Sequence, residues 1–375
     1  MVGILKFFMG LTYFFFKLLP TRKKIVFISR QSDAVPLDFQ LLGEEISLRD
    51  NDVKIVFLCK RMRSSLSGYF SYLFTLIDQM FHLATSRVCI LDSYCIPVSL
   101  LTHKSDLFIL QLWHAIGKMK KSGHQTIEKR QARHWMDFEN QPRVVEKMNM
   151  HGNYDRIVAG AEFFHPFYLE TFRTTEERLL NYGLPRIDHI IQSEESNREK
   201  IFKKYPQFLG KKVVLYAPTF KPYDDEGPKQ MVEEFLDKDL ILVVAIHPKQ
   251  NLSYEVEAHH NIYRCEDFTI VDLLAACDYL VTDYSAVCLE AAIISKKLLF
   301  FLNDHARYLE STGLNLDPMR AMESCCFDQA STIYEVIATD NYDNEALERF
   351  RKNYLPRELG TSTKKIVDYL EKYWR

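Results

Sequence analysis

Short apolar runs, rich in β-branched and aromatic residues, alternate with longer amphipathic stretches along this sequence. Parallel strands need a covering connection between them, and a helix usually supplies it, so this alternation predicts parallel sheets covered by helices. A chain of 375 residues is long enough for two such sheets. We therefore predict an α/β fold in two halves.

The alternation occurs in two series, separated by a charged helical stretch at 192–204. The first series predicts strands at 24–29, 53–59, 88–91, 107–112 and 156–159, and the second at 213–216, 240–246, 262–265, 279–282 and 298–301. Helices are predicted at 37–48, 69–84 and 362–373. Ligands of open α/β sheets bind outside the carboxyl ends of the strands, so we expect the substrate in a cleft between the two halves.

The amino-terminal segment is apolar but is interrupted by Lys6 and Lys17, which fall on one stripe of a helix with Gly10 and Tyr13. The uninterrupted apolar run is too short for a span, and no small-residue cleavage site follows it. We predict an in-plane helix on an anionic membrane surface, with Arg22, Lys23 and Lys24 facing the headgroups. A helix packed on the domain and a transmembrane anchor are the alternative interpretations.

The composition limits the classes of partner. The formal net charge of -2 argues against a general nucleic-acid binder. The eight cysteines show neither CxxC pairs nor metal-ligand spacing, which is typical of reduced thiols in the cytoplasm. We predict no metal and no cofactor. The DxD spacing of Asp50 and Asp52 lies between a helix and a strand, where such residues make turns.

Two histidines follow buried strands, one in each half. His114 begins a loop that also contains Gly117, Lys118, Lys120 and Lys121, so an acid/base group lies beside cations suited to phosphate. His247 follows the strand at 240–246 and precedes a proline. Each alone is compatible with a structural histidine; as a pair they predict one site.

Hydroxyl, carboxylate and lysine side chains follow other strands or precede helices of this pattern. These are Thr219, Lys221, Asp283, Ser285, Thr361 and Ser362. Ser285 fits the N-cap of the helix that follows it, where backbone N–H groups attract anions, and Thr361 and Ser362 precede the last helix. Simple capping is the alternative for both.

Six motifs in order resemble the CDP-glycerol glycerophosphotransferase family of teichoic-acid biosynthesis. They are LWHAIGKMKKSG (112–123), YGLPRID (182–188), LYAPTF (215–220), IHPK (246–249), DLLAACDYLVTDYSAVCLEAAI (272–293) and GTS (360–362). The resemblance implies a GT-B-like fold of two Rossmann-like domains. It divides the chain into a membrane-association helix (1–21), an acceptor domain (22–190), a CDP-donor domain (205–355) and a terminal helix (356–375) that packs back toward the first domain.

The resemblance also implies transfer of glycerol phosphate or ribitol phosphate from a CDP-polyol, with release of CMP and without a metal ion. The acceptor would be a hydroxyl of a lipid-linked saccharide, a teichoic-acid chain or a capsule chain. Location would be the cytoplasmic face of the membrane, as a peripheral protein. His114 and His247 match the family's essential histidines. Thr219, Ser285 and Ser362 match positions near the donor's phosphates. We also predict Lys221, Asp283 and Thr361 at the donor site, where Asp283 either orients a histidine or holds a donor hydroxyl. Gly117, Lys118, Lys120 and Lys121 are predicted on the acceptor or membrane side.

The first motif departs from a common family form, because Ala-Ile-Gly-Lys follows His114 where Gly-Thr-Pro-Leu is frequent. The start of the chain close to the first strand favours a short member, such as a primase or a capsule-type transferase. Two alternative functions stay open. One is a GT-B glycosyltransferase that uses a nucleotide sugar, and the other is a catalytically silent, membrane-bound assembly subunit.

Overall fold

A computed structural model describes residues 2–61, 66–127, 142–221, 223, 225–246 and 260–375, with the backbone alone at 2, 66–71 and 142. The chain forms two compact units. Unit 1 comprises Met1–Ala115, Ser122–Arg186 and Thr361–Arg375, and unit 2 comprises Ile116–Lys121 and Ile187–Gly360. The segment 116–121, which the sequence analysis assigned to the first domain, therefore belongs to unit 2.

Unit 1 contains a parallel sheet of six strands. They are β1 (Lys24–Ser29), β2 (Lys54–Cys59), β3 (Val88–Leu91), β4 (Phe108–Gln111), β5 (Arg156–Val158) and β6 (Leu179–Leu180). The strand order is β2-β1-β3-β4-β5-β6, so the direction of winding changes between β1 and β3. Residues of β1, β3 and β4 are buried throughout, as expected for strands covered on both faces.

Six helices of unit 1 connect or flank these strands. They are α1 (Val2–Lys17), α2 (Leu37–Arg49), α3 (Leu66–Thr85), α4 (Ile96–Leu100), α5 (Pro142–Lys147) and α6 (His165–Phe172). Within the described residues, no helix is long and apolar enough to cross a membrane.

Unit 2 repeats the architecture. Its strands are β7 (Val213–Tyr216), β8 (Ile241–Val244), β9 (Ile262–Tyr263), β10 (Tyr279–Thr282), β11 (Lys297–Phe301) and β12 (Cys326–Phe327). They are parallel in the order β12-β11-β10-β7-β8-β9, which places the change of winding between β7 and β10.

The helices between residues 185 and 354 lead into this second sheet or alternate with its strands along the chain. They are α7 (Pro185–Lys204), α8 (Gly227–Phe235), α9 (Ile270–Ala276), α10 (Val287–Ile293), α11 (His305–Ser311), α12 (Pro318–Ala321), α13 (Ala330–Thr339) and α14 (Asn344–Tyr354). The α/β prediction with two parallel sheets is confirmed.

The last helix, α15 (Ser362–Trp374), belongs to unit 1. Trp374 is buried, and the Tyr373 ring stacks on Phe108 with 3.8 Å between centroids. Arg49 of α2 forms an ion pair of 2.5 Å with Asp368. An aromatic stack and a buried indole thus fix the helix on the β4 side of the sheet.

Helix α1 presents an apolar face to solvent. Its buried residues include Met9 and Tyr13, and the Tyr13 hydroxyl lies 2.8 Å from Nδ1 of His103. Large apolar side chains point away from the protein: Ile4, Phe7, Phe8, Leu11, Phe14, Phe15 and Leu18 are 47–69% exposed. The predicted stripe through Tyr13 and Lys17 therefore packs on unit 1, and Lys17 donates to the Thr102 carbonyl.

One expectation about the basic residues after α1 is wrong. Lys24 does not face headgroups: it is 3% exposed, and its Nζ donates to Thr85 Oγ1 at 2.6 Å. It is the first residue of the buried strand β1, so its side chain lies inside the sheet layer. Lys23 is partly exposed and pairs with Asp50 at 2.8 Å.

Candidate active site

In unit 1, the residues after three neighbouring strands meet at one cavity. Asp92 follows β3 directly, His114 follows β4, and Gln31 follows β1, so all three lie at the carboxyl edge of the sheet. The cavity has a volume of about 240 Å³ and is lined by Gln31, Ser32, Pro36, Asp38, Phe39, Asp92, His114 and Arg186. Polar groups and one aromatic ring are a lining suited to a hydroxyl-bearing ligand.

The His114 ring is oriented by a backbone carbonyl. Its Nδ1 lies 3.1 Å from the carbonyl oxygen of Asp92, and the Gln31 amide nitrogen lies at 3.4 Å from the same atom. A carbonyl can only accept, so Nδ1 carries the proton of the shorter bond, and the lone pair of the neutral ring is on Nε2. This tautomer is the one that a general base needs.

Trp113 helps to set this orientation. It has a φ of 64°, an uncommon left-handed conformation for a large side chain, and its ring lies 4.2 Å from the His114 ring. The chain therefore turns sharply as it leaves β4. The turn places the imidazole beside its sheet neighbour Asp92.

Two carboxylates of this cavity, those of Asp38 and Asp92, are not among the site residues predicted from the sequence. Asp92 is 4% exposed and accepts a bond of 2.6 Å from Ser29 Oγ; burial raises the pKa of its carboxyl. Asp38 accepts from the Arg186 backbone at 2.8 Å and from its guanidinium Nε at 2.8 Å. Asp92 was recognisable by its position directly after a predicted strand, whereas the Asp38–Arg186 pair joins residues far apart in sequence.

In unit 2, Asp283 ties together the ends of two strands. Its Oδ1 accepts from the backbone N–H of Thr219 at 2.8 Å and from that of Tyr284 at 2.6 Å. Thr219 follows β7 and Asp283 follows β10, the two strands that flank the change of winding. The predicted residues Thr219 and Asp283 are thus brought together at the expected edge of this sheet.

Lys221 lies in a buried cluster of carboxylates. Its Nζ is 2.8 Å from Asp304, 3.0 Å from Asp225 and 3.5 Å from Asp283. Burial alone would lower the pKa of Lys221, but the three carboxylates outweigh it and the pKa is raised. In the structure three carboxylates surround the charge of Lys221, and its predicted contact with the donor stays a prediction.

Ser285 is not the N-cap of α10. The helix begins at Val287 with Ala286 at the cap, and Ser285 Oγ lies 3.5 Å from the Val287 nitrogen, at the limit of a hydrogen bond. The capping argument for this residue is therefore wrong by one position, because the turn after Asp283 uses an extra residue before the helix begins. Ser285 remains two residues from Asp283 at the same strand end.

Thr361 and Ser362 belong to unit 1, whereas the other predicted donor residues belong to unit 2. Thr361 is the N-cap residue of α15 without a side-chain capping bond, and Ser362 is fully buried. Thr361 is thus at the predicted helix start, and the donor-site assignment of both residues stays a prediction.

The loop after His114 is not a set of free cations. Gly117 and Lys118 are buried, and burial lowers the pKa of Lys118 well below its ordinary value. Lys120 Nζ donates to Thr219 Oγ1 at 3.1 Å, and Lys121 packs over Gly313. The segment 116–121 belongs to unit 2. The assignment of Lys118 and Lys120 to the acceptor or membrane side stays a prediction.

His247 lies outside the described residues, so its pairing with His114 stays a prediction. Among the residues that the structure describes, no group of three His, Cys, Asp or Glu is arranged to hold a metal ion. A larger cavity of about 430 Å³ lies elsewhere in unit 1, between His124, His151 and Arg178, and none of the predicted site residues lines it.

A family model described as CDP-Glycerol:Poly(glycerophosphate) glycerophosphotransferase matches residues 11–372. The chain belongs to this family. The family resemblance given by the six motifs is thereby confirmed, and the protein is a transferase.

Curated relatives of this glycerophosphotransferase include two primases. A teichoic acid ribitol-phosphate primase of Bacillus spizizenii W23 is 26% identical over 370 residues, covering 95% of this chain and 93% of the relative. A teichoic acid glycerol-phosphate primase of Bacillus subtilis 168 is 27% identical over 309 residues, covering 79% and 76%.

Solved structures resemble the fold. The wall teichoic acid polymerase TagF superposes with a TM-score of 0.75 at 15% identity, covering 99% of this chain and 95% of that chain. A UDP-GlcNAc 2-epimerase of Neisseria meningitidis gives a TM-score of 0.60 at 14% identity, covering 93% and 100%. The predicted GT-B-like fold is confirmed by the first of these.

Proposed function

We propose that this glycerophosphotransferase transfers a polyol phosphate from a CDP-polyol to a hydroxyl of a lipid-linked saccharide or teichoic-acid chain and releases CMP. The observation that carries the proposal is the His114 cavity: a histidine of the family's first motif, held as the tautomer of a base, in a polar cavity at a sheet edge. Relatives named as glycerol-phosphate and ribitol-phosphate primases support either polyol.

The chemistry is an in-line displacement. The acceptor hydroxyl attacks the β-phosphorus of the donor, His114 Nε2 takes the hydroxyl proton, and the bond between the β-phosphorus and the bridging oxygen breaks, so that this oxygen leaves with CMP. Proton transfer to a positioned base contributes about 10²–10⁴-fold to such a rate. The proposal needs no metal ion or cofactor, and His247 is proposed to stabilise charge on the diphosphate.

We place the donor at the carboxyl ends of β7 and β10. Thr219 and Ser285 provide hydroxyls there, and Asp283 holds the two strand ends together through its bonds to the Thr219 and Tyr284 amides. The change of winding between these strands supports this placement, because ligands of open α/β sheets bind at such points.

The test is CMP release from CDP-glycerol and CDP-ribitol with a synthetic prenyl-linked disaccharide. His114→Ala should lower turnover about 10²–10⁴-fold while donor affinity stays unchanged, because the substitution removes the base and leaves the proposed donor residues in place. His260→Ala is the control, because this histidine side chain is 74% exposed. Near-normal turnover of His114→Ala would remove His114 from the chemistry.

A parallel assay separates the alternatives. UDP-sugars replace the CDP-polyols in the same reaction, and mass analysis of the product reports what was transferred. Sugar transfer without polyol-phosphate transfer would establish the glycosyltransferase alternative. Donor binding without CMP release would establish the silent subunit.

We further propose peripheral attachment to the cytoplasmic face of the membrane through α1 together with α3. The exposed apolar face of α1 is joined by Leu73, Phe74 and Ile77 of α3, which are 46–75% exposed, and the two helices pack through Phe16 and Phe81. Such an apolar surface suits insertion at the headgroup boundary of an anionic bilayer.

Co-sedimentation with vesicles that contain phosphatidylglycerol tests the attachment. The triple variant Phe8→Ser, Phe15→Ser and Phe74→Ser should lose pelleting, whereas Leu48→Ser should keep it. Leu48 is 83% exposed but lies on α2, outside this surface. Equal pelleting of both variants would contradict the proposal.

A further inference from the structure

Lys120 occupies a fixed position in unit 2. The carbonyl of Met119 accepts from the backbone of Asn315 at 2.7 Å and of Leu316 at 3.2 Å, and Lys120 itself forms an antiparallel bridge with Leu314. The Met119 sulfur also contacts the Cys288 sulfur at 3.3 Å. These contacts anchor the segment on both sides of Lys120, so the side chain is directed by the fold.

The Lys120 side chain ends beside the predicted donor site. Its Nζ donates to Thr219 Oγ1 at 3.1 Å and lies 5.7 Å from the centroid of the Tyr308 ring. It forms no ion pair with a carboxylate of the described part of the chain. Lys221, at the same strand end, contacts three carboxylates. One of the two lysines is therefore neutralised and the other is not.

Two backbone amides at this strand end, those of Thr219 and Tyr284, are already occupied. Asp283 Oδ1 accepts from both the Thr219 and the Tyr284 N–H groups. An anion that binds here would thus depend on side chains for its positive partner. Among the described residues at this point, Lys120 and the Thr219 hydroxyl supply a cation and a donor within 3.1 Å of each other.

The energetics favour an incoming anion. Burial lowers the pKa of Lys120, while the nearby charge of Asp283 opposes this only in part. A partly buried ammonium group without a counter-ion is destabilised, and a phosphate oxygen would restore its favourable interactions.

We propose that Lys120 binds the diphosphate of the nucleotide donor, together with Thr219, and neutralises the charge that develops on the leaving CMP phosphate. The inference rests on the function proposed above and adds a residue to it. A lysine in this place stabilises the transition state because its charge is present before the reaction begins.

The experiment measures binding of CDP-glycerol, CMP and cytidine to the full-length protein by titration calorimetry. Lys120→Ala should weaken CDP-glycerol roughly 10- to 100-fold, as expected for a hydrogen bond to a charged group, weaken CMP less and leave cytidine unchanged. Lys238→Ala is the matched control, because Lys238 also lies over a tyrosine ring, 4.6 Å from the centroid of Tyr334, and pairs with Glu234.

The pH dependence provides a second readout. CDP-glycerol has no second phosphate ionisation, so its affinity should fall as pH rises through the lowered pKa of Lys120. Of the other groups that face Lys120, Tyr308, Cys288 and Lys221 keep their charge state in this window, because their pKa values are raised. The carboxylate of Asp283 lies 3.5 Å from Lys221 Nζ. Lys120→Arg should bind the donor and retain affinity at higher pH, because arginine stays protonated.

The outcomes separate the two proposals. Wild-type affinity in Lys120→Ala, or an unchanged pH profile in Lys120→Arg, would overturn the role of Lys120 and leave the proposed function intact. Failure of the wild-type protein to bind any CDP-polyol would overturn the proposed function and this inference with it. Thermal melting of each variant identifies a loss of fold.

Discussion

Replacing Lys221 by methionine should destabilise the protein, because it leaves three buried carboxylates without their cation. The Lys221, Asp225 and Asp283 side chains are 2–3% exposed, and Asp304 is 12% exposed. Methionine keeps the approximate length of the side chain, so the change removes mainly the charge. The pKa of Asp304 illustrates how these carboxylates depend on Lys221. Burial would raise this pKa, but hydrogen bonds from Lys221 and from the Tyr223 hydroxyl, and the charge of Lys221, lower it.

The magnitude follows from the distances. Each ion pair near 3 Å contributes roughly 5 kcal/mol at an effective dielectric constant of about 20. Desolvation of the four groups and repulsion among the carboxylates oppose these attractions. Breaking a buried pair from one side costs about 3–5 kcal/mol. At about 2–4 °C per kcal/mol for a domain of this size, the melting temperature should fall by roughly 10 °C.

Differential scanning calorimetry at several pH values is the assay. Without Lys221, burial is expected to raise the folded-state pKa of Asp304 above its unfolded value, so the folded state binds more protons and its stability falls as pH rises. The deficit should therefore be larger at pH 8 than at pH 5. Adding Asp304→Asn should recover part of the loss, because one of the uncompensated charges disappears.

Lys229→Met is the control for this experiment. Lys229 is 50% exposed and lies 4.0 Å from Glu233, which is 45% exposed. Such a surface pair contributes about 0–1 kcal/mol. A loss in Lys221→Met no larger than that of Lys229→Met, or a further loss on adding Asp304→Asn, would refute the reasoning.

Two further predictions concern unit 1. Burial, together with the charges of Lys54 and Arg22, lowers the pKa of Lys24 from 10.5 to about 8. Between about pH 8 and pH 10.5 the folded state therefore binds fewer protons than the unfolded state. Unfolding free energy should rise across this pH window in the wild type, and Lys24→Met should remove the rise; a parallel profile in both proteins would contradict this. Trp374, on the buried face of α15, is 1% exposed, so Trp374→Ala should lower the free energy of unfolding in urea by about 3–5 kcal/mol. Lys364→Ala, on the exposed face of the same helix, should lower it by less than about 1 kcal/mol. Equal losses would show that α15 does not stabilise unit 1.

The strands could be read from the sequence because they are local. The predicted strands at 24–29, 88–91, 213–216 and 279–282 have the observed bounds, and the others differ by one or two residues at one or both ends. Buried parallel strands are continuous apolar runs, so periodicity and composition within a few residues define them. The two-residue edge strands β6 and β12 are not predicted from the sequence, whereas β9, of the same length, lies within the predicted run at 262–265.

The candidate site was predictable only where its residues stand next to such strands. His114, Thr219 and Asp283 follow strand ends, so the sequence placed each of them at the ligand edge of its sheet. The cap position of Ser285 was missed because the turn length before α10 depends on the bonds of Asp283, which reach back to Thr219.

Local sequence patterns and motifs were sufficient to predict the two parallel sheets, the family and the strand-end positions of the candidate residues. The contacts of those residues depend on the tertiary fold. It gave Lys221 three carboxylate partners, placed Lys120 beside Thr219, and used the Asp92 carbonyl to orient His114. These partners are 4 to 99 residues apart along the chain, and local periodicity specifies which face a side chain occupies but not which distant group it meets.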